Sequence, residues 1–358
     1  MLNTALNLND YTQLSSSDLD RRISEAKAIL GSKLLILGHH YIKDEVIKFA
    51  DFTGDSFRLS QLAAESQARY IIFCGVYFMA ETADILTGDE QTVMIPDQQA
   101  GCVMADMANI WDVYECWEEL QKYYPGEIIP VSYINSSAEL KAFCGKNGGL
   151  ICTSSSADKA LSWVFAQGKR VLFFPDEHLG RNTGVKLGIP VKNMAVWDRT
   201  IKALVKNSDN PQIILWNGFC PVHLRFSTEN IQAVKNKYPD IKIIVHPECS
   251  NELVKLADAS GSTEYIAKVI DEAPAGSRWA VGTEINMVKR LAEQHRDKFV
   301  IPLTASPRPC INMFKIERNN LLWCLENLIE GKIENEVKVS PEIAFDAKIA
   351  LDRMLSLK

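Results

Sequence analysis

Three cysteines in predicted loops recur at comparable distances after polar residues that end predicted strands. Each of these cysteines lies beside a glycine or proline, or one residue from one. They are Cys102, Cys220 and Cys310. The first lies 63 residues after His39, the second 87 after Tyr133 and the third 64 after His246. Thiolates are ligands for soft metals and iron–sulfur clusters. Because the chain has no C-x-x-C pair, any metal site must be assembled from distant segments.

A ligand count of three favours a particular kind of cluster. Structural zinc prefers four protein ligands, and a [4Fe–4S] cluster is usually held by four cysteines. Three cysteines leave one iron open, and such an iron can act as a Lewis acid on a hydroxyl or carboxylate oxygen. We therefore predict a [4Fe–4S] cluster with three cysteine ligands and one open iron.

Polar side chains near the predicted strand ends supply candidate binding and acid–base groups. They are His39, Tyr41, Tyr133, Asn135, His246 and Glu248. Ligands of parallel α/β folds bind at the carboxyl ends of the strands. Hydroxyl residues at predicted helix starts favour carboxylates or phosphate, and these are Ser56, Ser154, Ser262 and Thr263. Together the two groups predict a site for a small polyanion beside the open iron.

The elements that must position these residues alternate between apolar strands and amphipathic helices. Predicted strands cover 33–37, 70–73, 92–95, 128–131, 171–174, 213–216, 241–245, 279–281 and 299–302. Predicted helices cover 18–30, 110–123, 157–165, 229–237, 284–294 and 314–330. Continuous apolar strands separated by helices indicate parallel sheets, so the predicted fold class is α/β.

The alternation contains a repeat. Three features follow one another in the same order three times along the chain. They are a strand with a polar end, a Ser-rich helix start, and a strand followed by an acidic helix start. Any α/β protein offers serine and glycine at such turns, and that alternative stays open. The cysteines favour the repeat, because each unit closes on one of them. We predict three similar lobes around a pseudo-threefold axis that brings the thiols together.

Composition excludes several classes of function. The net charge of the 358 residues is −6 and the pI is about 5.6, so no basic surface for nucleic acid is expected. The N-terminus lacks the basic and apolar regions of a signal peptide, and no apolar run is long enough to span a membrane. We expect a cytoplasmic protein whose nine cysteines are thiols or ligands rather than disulfides.

Ten segments carry a resemblance to a known family. They are GHHYIKDEVIKFADFTGDS, FCGVYFMAETADIL, PDQQAGCVMADM, VSYINSSAELKA, CTSSSADKAL, GFCPVHLRF, HPECSNELVKLAD, SGSTEYIAKVI, VGTEINMVKRL and CINMFKI. Together, over about 29–329, they closely resemble the quinolinate synthetase A family. The resemblance implies condensation of iminoaspartate with dihydroxyacetone phosphate to quinolinate, phosphate and two waters in NAD biosynthesis. It also implies three αβα lobes around a central [4Fe–4S] cluster, which we place at 1–105 plus 311–358, 106–218 and 219–310.

The resemblance also implies roles for individual residues. It makes Cys102, Cys220 and Cys310 the cluster ligands, and Tyr41, His246 and Glu248 the catalytic groups. The implied substrate-binding residues are His39, Ser56, Tyr133, Asn135, Ser154, His223, His246, Glu248, Ser262 and Thr263. Cys249 adjoins two of them, but we expect it to be structural.

The sequence departs from the family pattern in two respects. His40 stands where Tyr or Asn is more common, which alters the expected shape of the pocket. Thr304 and Pro307 replace cysteines that form a regulatory disulfide in some relatives, so we expect no such switch.

Two alternatives remain at this level. One is a non-catalytic iron–sulfur sensor, and the other is a transferase without a cluster that uses the Ser-rich turns for phosphate. Expected partners are the two small substrates and an L-aspartate oxidase or dehydrogenase that supplies iminoaspartate, with no nucleic acid and no membrane.

Overall fold

The computed structural model describes residues 7–205, 208 and 210–357. Within this part, the chain forms two compact units. The first contains residues up to 101 together with 309–339, and the second contains 102–308 and 340–357.

The first unit contains one five-stranded sheet. Its strands are β1 (Leu34–His39), β2 (Phe52–Gly54), β3 (Tyr70–Cys74), β4 (Thr92–Met94) and β15 (Glu336–Val337). Their order is β15-β4-β3-β1-β2, and only the short β15 is antiparallel to its neighbour.

The second unit contains two sheets. One has strands β5 (Ile128–Tyr133), β6 (Leu150–Cys152), β7 (Arg170–Phe174), β8 (Met194–Asp198), β9 (Ala203–Val205) and β10 (Ile213–Trp216), in the order β6-β5-β7-β10-β8-β9. The other has strands β11 (Lys242–Val245), β12 (Ala259–Ser260), β13 (Arg278–Gly282) and β14 (Phe299–Pro302), in the order β12-β11-β13-β14. All pairings in these two sheets are parallel except that of β8 with β9.

The same four-strand order is present in each sheet. A short strand lies beside the strand with the polar end, and the third and fourth strands of the repeat follow on the other side, as β2-β1-β3-β4, β6-β5-β7-β10 and β12-β11-β13-β14. The α/β class and the three parallel-dominated sheets are thus confirmed. All nine predicted strands are present to within a few residues, and their central positions are buried because they are apolar.

Fifteen α-helices connect these strands in the described part of the chain. They are α1 (Leu8–Tyr11), α2 (Ser16–Leu30), α3 (Asp44–Ile47), α4 (Ser56–Glu65), α5 (Tyr77–Leu86), α6 (Ile110–Tyr123), α7 (Ala138–Lys146), α8 (Ala157–Phe165), α9 (Glu177–Lys186), α10 (Thr228–Lys237), α11 (Asn251–Leu256), α12 (Thr263–Glu272), α13 (Ile285–Gln294), α14 (Arg318–Ile329) and α15 (Pro341–Ser356). None of the described helices is both long and apolar enough to cross a membrane.

The last helix belongs to the second unit. The lobe boundaries drawn from the sequence group α15 with the first lobe, but in the structure it packs along α7. Gly145 of α7 permits the approach, because a Cβ there would lie 1.9 Å from the backbone oxygen of Asp346 in α15. The side chain of Arg353 also donates to the carbonyl of Gly149 at 2.5 Å. Backbone contact of this kind leaves no periodic signal in the sequence.

Candidate active site

Each of the three predicted cluster cysteines begins the same local structure. The cysteine carbonyl accepts the backbone N–H of the residue four positions later, and the donors are Asp106, Leu224 and Phe314, at 3.0, 3.0 and 2.9 Å. A single 3₁₀ turn follows in each case, and these turns are Ala105–Met107, His223–Arg225 and Met313–Lys315. An α-helix then has its N-cap seven residues after the cysteine, at Asn109, Ser227 and Glu317. The predicted equivalence of the three cysteines thus extends to backbone hydrogen bonding.

The burial of these cysteines sets them apart. All nine cysteines lie in the described part of the chain, and none forms a disulfide. Cys102, Cys220 and Cys310 are partly exposed, whereas the other six are buried. Burial raises the pKa of each of those six thiols, which disfavours the thiolate that binds a metal. Among the six, Cys249 lies in a hydrophobic core cluster of the second unit, together with residues of β11.

The turn after each cysteine hydrogen-bonds to the segment that precedes another cysteine or lines one cleft with it. In the second unit, the indole N–H of Trp216, just before the second cysteine, donates to the Met107 carbonyl at 2.8 Å. In the same unit, Arg225 and the loop 304–308 line one cleft. In the first unit, Lys315 donates from Nζ to the Gln99 carbonyl at 2.7 Å. The position is the same each time, five residues after the cysteine.

A buried cluster of two histidines and one carboxylate lies beside the second cysteine turn. Nδ1 of His223 is 2.7 Å from Oε2 of Glu248, and Nε2 of the same ring is 3.1 Å from the hydroxyl of Thr283. The His246 ring stacks on the His223 ring with 4.4 Å between centroids and 20° between planes. The two rings and the carboxylate are each at most 3% exposed. The first 3₁₀ residue after Cys220 and the end of β11 together create this arrangement.

Burial and hydrogen bonding fix the charge states in this cluster. Burial alone would raise the pKa of Glu248, but His246, His223 and a hydrogen bond from Tyr133 together hold it below its ordinary value. Burial lowers the pKa of His246 to about 3. Near neutral pH the site therefore contains an ionised carboxylate beside a neutral His246 ring.

A second hydrogen bond fixes the tautomer of that ring. The backbone N–H of Glu248 donates to Nδ1 of His246 at 3.4 Å, so the neutral ring carries its proton on Nε2. In the first unit, the Tyr41 backbone N–H donates to Nδ1 of His39 at 3.2 Å in the same i+2 relation. Both histidines can therefore present an Nε2–H donor.

The end of β5 joins the cluster within the second unit. Tyr133 is buried, and its side chain hydrogen-bonds to Glu248. Two residues later, Oδ1 of Asn135 is buried without a hydrogen-bond partner among the described residues. A buried amide oxygen in this state is expected to accept a hydrogen bond from a ligand. The ends of two predicted strands thus meet here.

The predicted binding and acid–base residues of the first unit are His39, Tyr41 and Ser56. His39 is buried at the end of β1, and its ring packs edge-on against Tyr41 with 4.8 Å between centroids. Ser56 is the first residue of α4, whose N-cap Asp55 accepts the Arg58 N–H at 2.9 Å. Asp55 is therefore a helix cap.

The remaining predicted hydroxyl residues lie at loop and helix starts of the second unit. Ser154 is partly exposed in the turn between β6 and α8. Ser262 is the buried N-cap of α12, where its oxygen accepts the Tyr265 N–H at 3.3 Å and leaves its own proton for another acceptor. Thr263, also buried, is the first residue of that helix.

Sequence reasoning missed two polar residues of this site. Thr283 bonds to His223, and the fully buried Asp176 has a pKa raised by burial and by the charge of Glu248. Asp176 comes after Pro175, which directly follows β7, and Thr283 comes after Gly282, the last residue of β13. The strands β7 and β13 are the equivalent third strands of their repeats. The repeat itself could therefore have located them.

The donor chemistry fits an iron–sulfur cluster at the cysteine turns. Within the described residues, one set of three side chains also has metal-ligating atoms within 4.8 Å of one another, namely those of Cys220, His223 and Glu248. Sulfur, nitrogen and oxygen donors would also suit a single zinc ion. However, Nδ1 of His223 lies at direct hydrogen-bond distance from the carboxylate, which leaves no room for an ion between those two atoms. The three equivalent cysteine turns are therefore the better candidate for a metal site.

Comparison with known proteins gives a consistent result. The family model described as quinolinate synthetase A protein matches residues 21–356. Curated proteins named quinolinate synthase from Anoxybacillus flavithermus and Bacillus subtilis are each 51% identical, over 97% of this chain and 95% of theirs. One from Bacillus anthracis is 49% identical over 96% of this chain and 95% of its own.

Among solved structures, the similarity is weak. The E-1-hydroxy-2-methyl-but-2-enyl-4-diphosphate reductase from Plasmodium falciparum is 12% identical with a TM-score of 0.32, covering 87% of this chain and 94% of that one.

Proposed function

The chain belongs to the quinolinate synthetase A family of enzymes, and on this premise we propose that it condenses iminoaspartate with dihydroxyacetone phosphate to form quinolinate, phosphate and two waters. One observation carries the proposal beyond the family name. Cys220, His223 and Glu248 present their ligating or acid–base atoms within 4.8 Å of one another, with His246 stacked alongside. Acid–base groups thus lie beside a predicted cluster ligand.

In this proposal Cys102, Cys220 and Cys310 hold a [4Fe–4S] cluster. When bound, the cluster supplies an iron without a protein ligand, which is a Lewis acid for a substrate oxygen. Support comes from the equivalent turns, the partial exposure of the three thiols and the hydrogen bonds that two of the turns make with the segment preceding another cysteine. The proposal requires the three lobes to adopt the pseudo-threefold arrangement expected from the repeat.

The protein's own side chains bind and orient the substrates. The hydroxyls of Ser56, Ser154, Ser262 and Thr263 bind the substrate carboxylates, aided by backbone N–H groups at the helix starts. The buried Oδ1 of Asn135 accepts a hydrogen bond from the substrate nitrogen. Positioning of two reactants in this way replaces a bimolecular encounter by a reaction between bound groups.

Proton transfers are assigned to three groups. Glu248 is ionised near neutral pH, which is the state that accepts a proton. His246 donates from Nε2, and Tyr41 moves protons during enolisation and isomerisation. His39 hydrogen-bonds to the substrate from Nε2, while Tyr133 and His223 hold the carboxylate of Glu248 in place.

An anaerobic assay tests the proposal. Quinolinate is measured from dihydroxyacetone phosphate and freshly generated iminoaspartate, with metal and sulfide analysis of the same samples. The protein should be brown, with about four irons and four sulfides per chain. Cys102→Ser, Cys220→Ser and Cys310→Ser should each lose cluster and activity, whereas the core variant Cys249→Ala should keep both.

Other outcomes favour the alternatives. A colourless protein with full activity would contradict the cluster assignment. A brown but inactive protein whose spectrum does not respond to dicarboxylates would instead support a sensor. One zinc per chain without sulfide would favour the Cys220, His223 and Glu248 set as the metal site. A cytoplasmic location and supply of iminoaspartate by an aspartate oxidase or dehydrogenase belong to the same proposal, placed in NAD biosynthesis.

A further inference from the structure

A cleft of about 380 Å³ opens beside the buried histidine cluster, entirely within the second unit. One wall is the 3₁₀ turn His223–Arg225 that follows Cys220, and the other is the loop 304–308 that precedes Cys310. None of the roles proposed above uses this cleft. It reaches from exposed side chains down to Thr283, which is only 3% exposed.

The charge of the cleft is positive. Arg225 and Arg308 both line it, and both are exposed. Neither forms an ion pair or hydrogen bond with any residue in the described part of the chain, and none of the described residues that line the cleft is acidic. Two guanidinium groups thus share one concave surface without a neutralising carboxylate, on a chain whose net charge is −6. Local charge of this kind attracts an anion even on an acidic protein.

Hydroxyl groups complete the lining. Thr304 and Ser306 lie in the loop wall, and the Thr304 oxygen accepts the backbone N–H of Ser306 at 3.4 Å. That hydrogen bond shapes the loop and leaves the hydroxyl proton of Thr304 to donate. Planar guanidinium forks together with hydroxyl donors match the several acceptor oxygens of a phosphate group, which is tetrahedral and carries up to two charges near neutral pH.

The base of the cleft connects it to the catalytic cluster. The Thr283 hydroxyl lies 3.1 Å from Nε2 of His223, whose other nitrogen bonds to Glu248. The Thr283 hydroxyl at the base of the cleft is therefore two hydrogen bonds away from the proposed base.

We propose that this cleft is a phosphate site, which takes a phosphate group either as the terminal group of a phosphorylated triose or as the free inorganic ion. The binding itself stands on the arginines and hydroxyls, whereas its link to turnover rests on the proposed function. The site is separate from the serine and threonine residues at the helix starts, to which the substrate carboxylates are assigned.

Direct binding measurements test the site without any need for turnover. Calorimetric titration of the anaerobic holoenzyme with inorganic phosphate should give saturable binding, and Arg225→Gln and Arg308→Gln should each weaken it roughly tenfold, as expected for loss of a charge-assisted hydrogen bond. The matched control is Arg296→Gln, because Arg296 is also exposed in this unit and forms no ion pair or hydrogen bond with any described residue. It should bind phosphate like the parent enzyme.

Kinetics then identify the source of the phosphate. If the cleft holds the phosphorylated triose, the arginine variants should raise the KM for that substrate about tenfold. If it holds the released ion, they should relieve product inhibition by phosphate and leave that KM unchanged. The idea is overturned if the double variant binds phosphate as tightly as the parent, if the parent binds none, or if a dicarboxylate such as malate saturates the cleft and phosphate does not. A holoenzyme that binds phosphate through these arginines but forms no quinolinate would refute the proposed reaction while the phosphate site stood.

Discussion

Replacement of Glu248 by glutamine tests the centre of the proposed chemistry. The change keeps the size and shape of the side chain but removes its charge and one of its acceptor oxygens. The carboxylate is 3% exposed, 2.7 Å from Nδ1 of His223 and hydrogen-bonded to Tyr133. A glutamine can accept from one of these donors, but its NH₂ group would face the other.

The expected effect on stability is small. Loss of one charge-assisted hydrogen bond costs about 1.5–3 kcal/mol, but removal of a buried charge offsets part of that. We expect Glu248→Gln to lower the free energy of unfolding by only about 1–2 kcal/mol. The cluster should be retained, because none of its three proposed ligands is changed.

The expected effect on turnover is much larger. A positioned acid–base group contributes about 100-fold to 10,000-fold, so kcat should fall by that factor, equivalent to about 3–5 kcal/mol in the activation barrier. The assay is quinolinate formation under anaerobic conditions, with iron, sulfide and denaturant unfolding measured on the same preparation. Glu252→Gln is the matched control, since that glutamate is exposed on α11 four residues later.

Two results would refute this reasoning. Full activity of Glu248→Gln would remove the residue from the mechanism. Loss of iron together with activity would make Glu248 a metal ligand alongside Cys220 and His223, in place of the acid–base role.

Two further predictions concern packing and pH. Gly145→Ala would force a Cβ to 1.9 Å from the Asp346 backbone oxygen, so it should lower the free energy of unfolding by about 2 kcal/mol, measured with denaturant. The control is Gly88→Ala, which should change that free energy by less than about 0.5 kcal/mol because only Gln91 Oε1 lies nearby, at 3.8 Å. Equal effects of the two substitutions would contradict the close packing of α15 on α7. The pKa of His246 is about 3 in the folded state and ordinarily 6.5, so between these values the unfolded state binds more protons and stability falls as the pH is lowered. The cluster-free protein should therefore lose stability between pH 7 and pH 5, and His246→Asn should make that loss smaller by about 2 kcal/mol, measured by denaturant unfolding at both pH values. An unchanged pH dependence would show that the ring is not buried in its neutral form.

Much of the fold could be predicted because its signal is local. The nine predicted strands are apolar runs that a parallel sheet buries on both faces, and burial depends on side chains within each run. The short strands β2, β6 and β12 were missed, since two or three residues carry no periodic pattern. Their positions beside β1, β5 and β11 nevertheless follow from the repeat once the first sheet is known.

The site could be predicted only as a set of positions. Equivalent places in the repeat indicated His246 and Glu248 together with the three cysteines, and the family motifs added His223. The sequence did not indicate that Thr283 bonds to His223, or that Asp176 lies beside Glu248, because these contacts join residues far apart in the chain.

What the sequence by itself determined is the α/β class, the threefold repeat and the identity of one loop cysteine per repeat. Those features depend on composition and spacing along the chain. Tertiary structure alone decided the packing of α15 on α7, the partial exposure of the three cysteines and the charge states of Glu248 and His246. The physical reason is that exposure and pKa depend on what surrounds a group in space, and its neighbours here come from strands and turns tens of residues away.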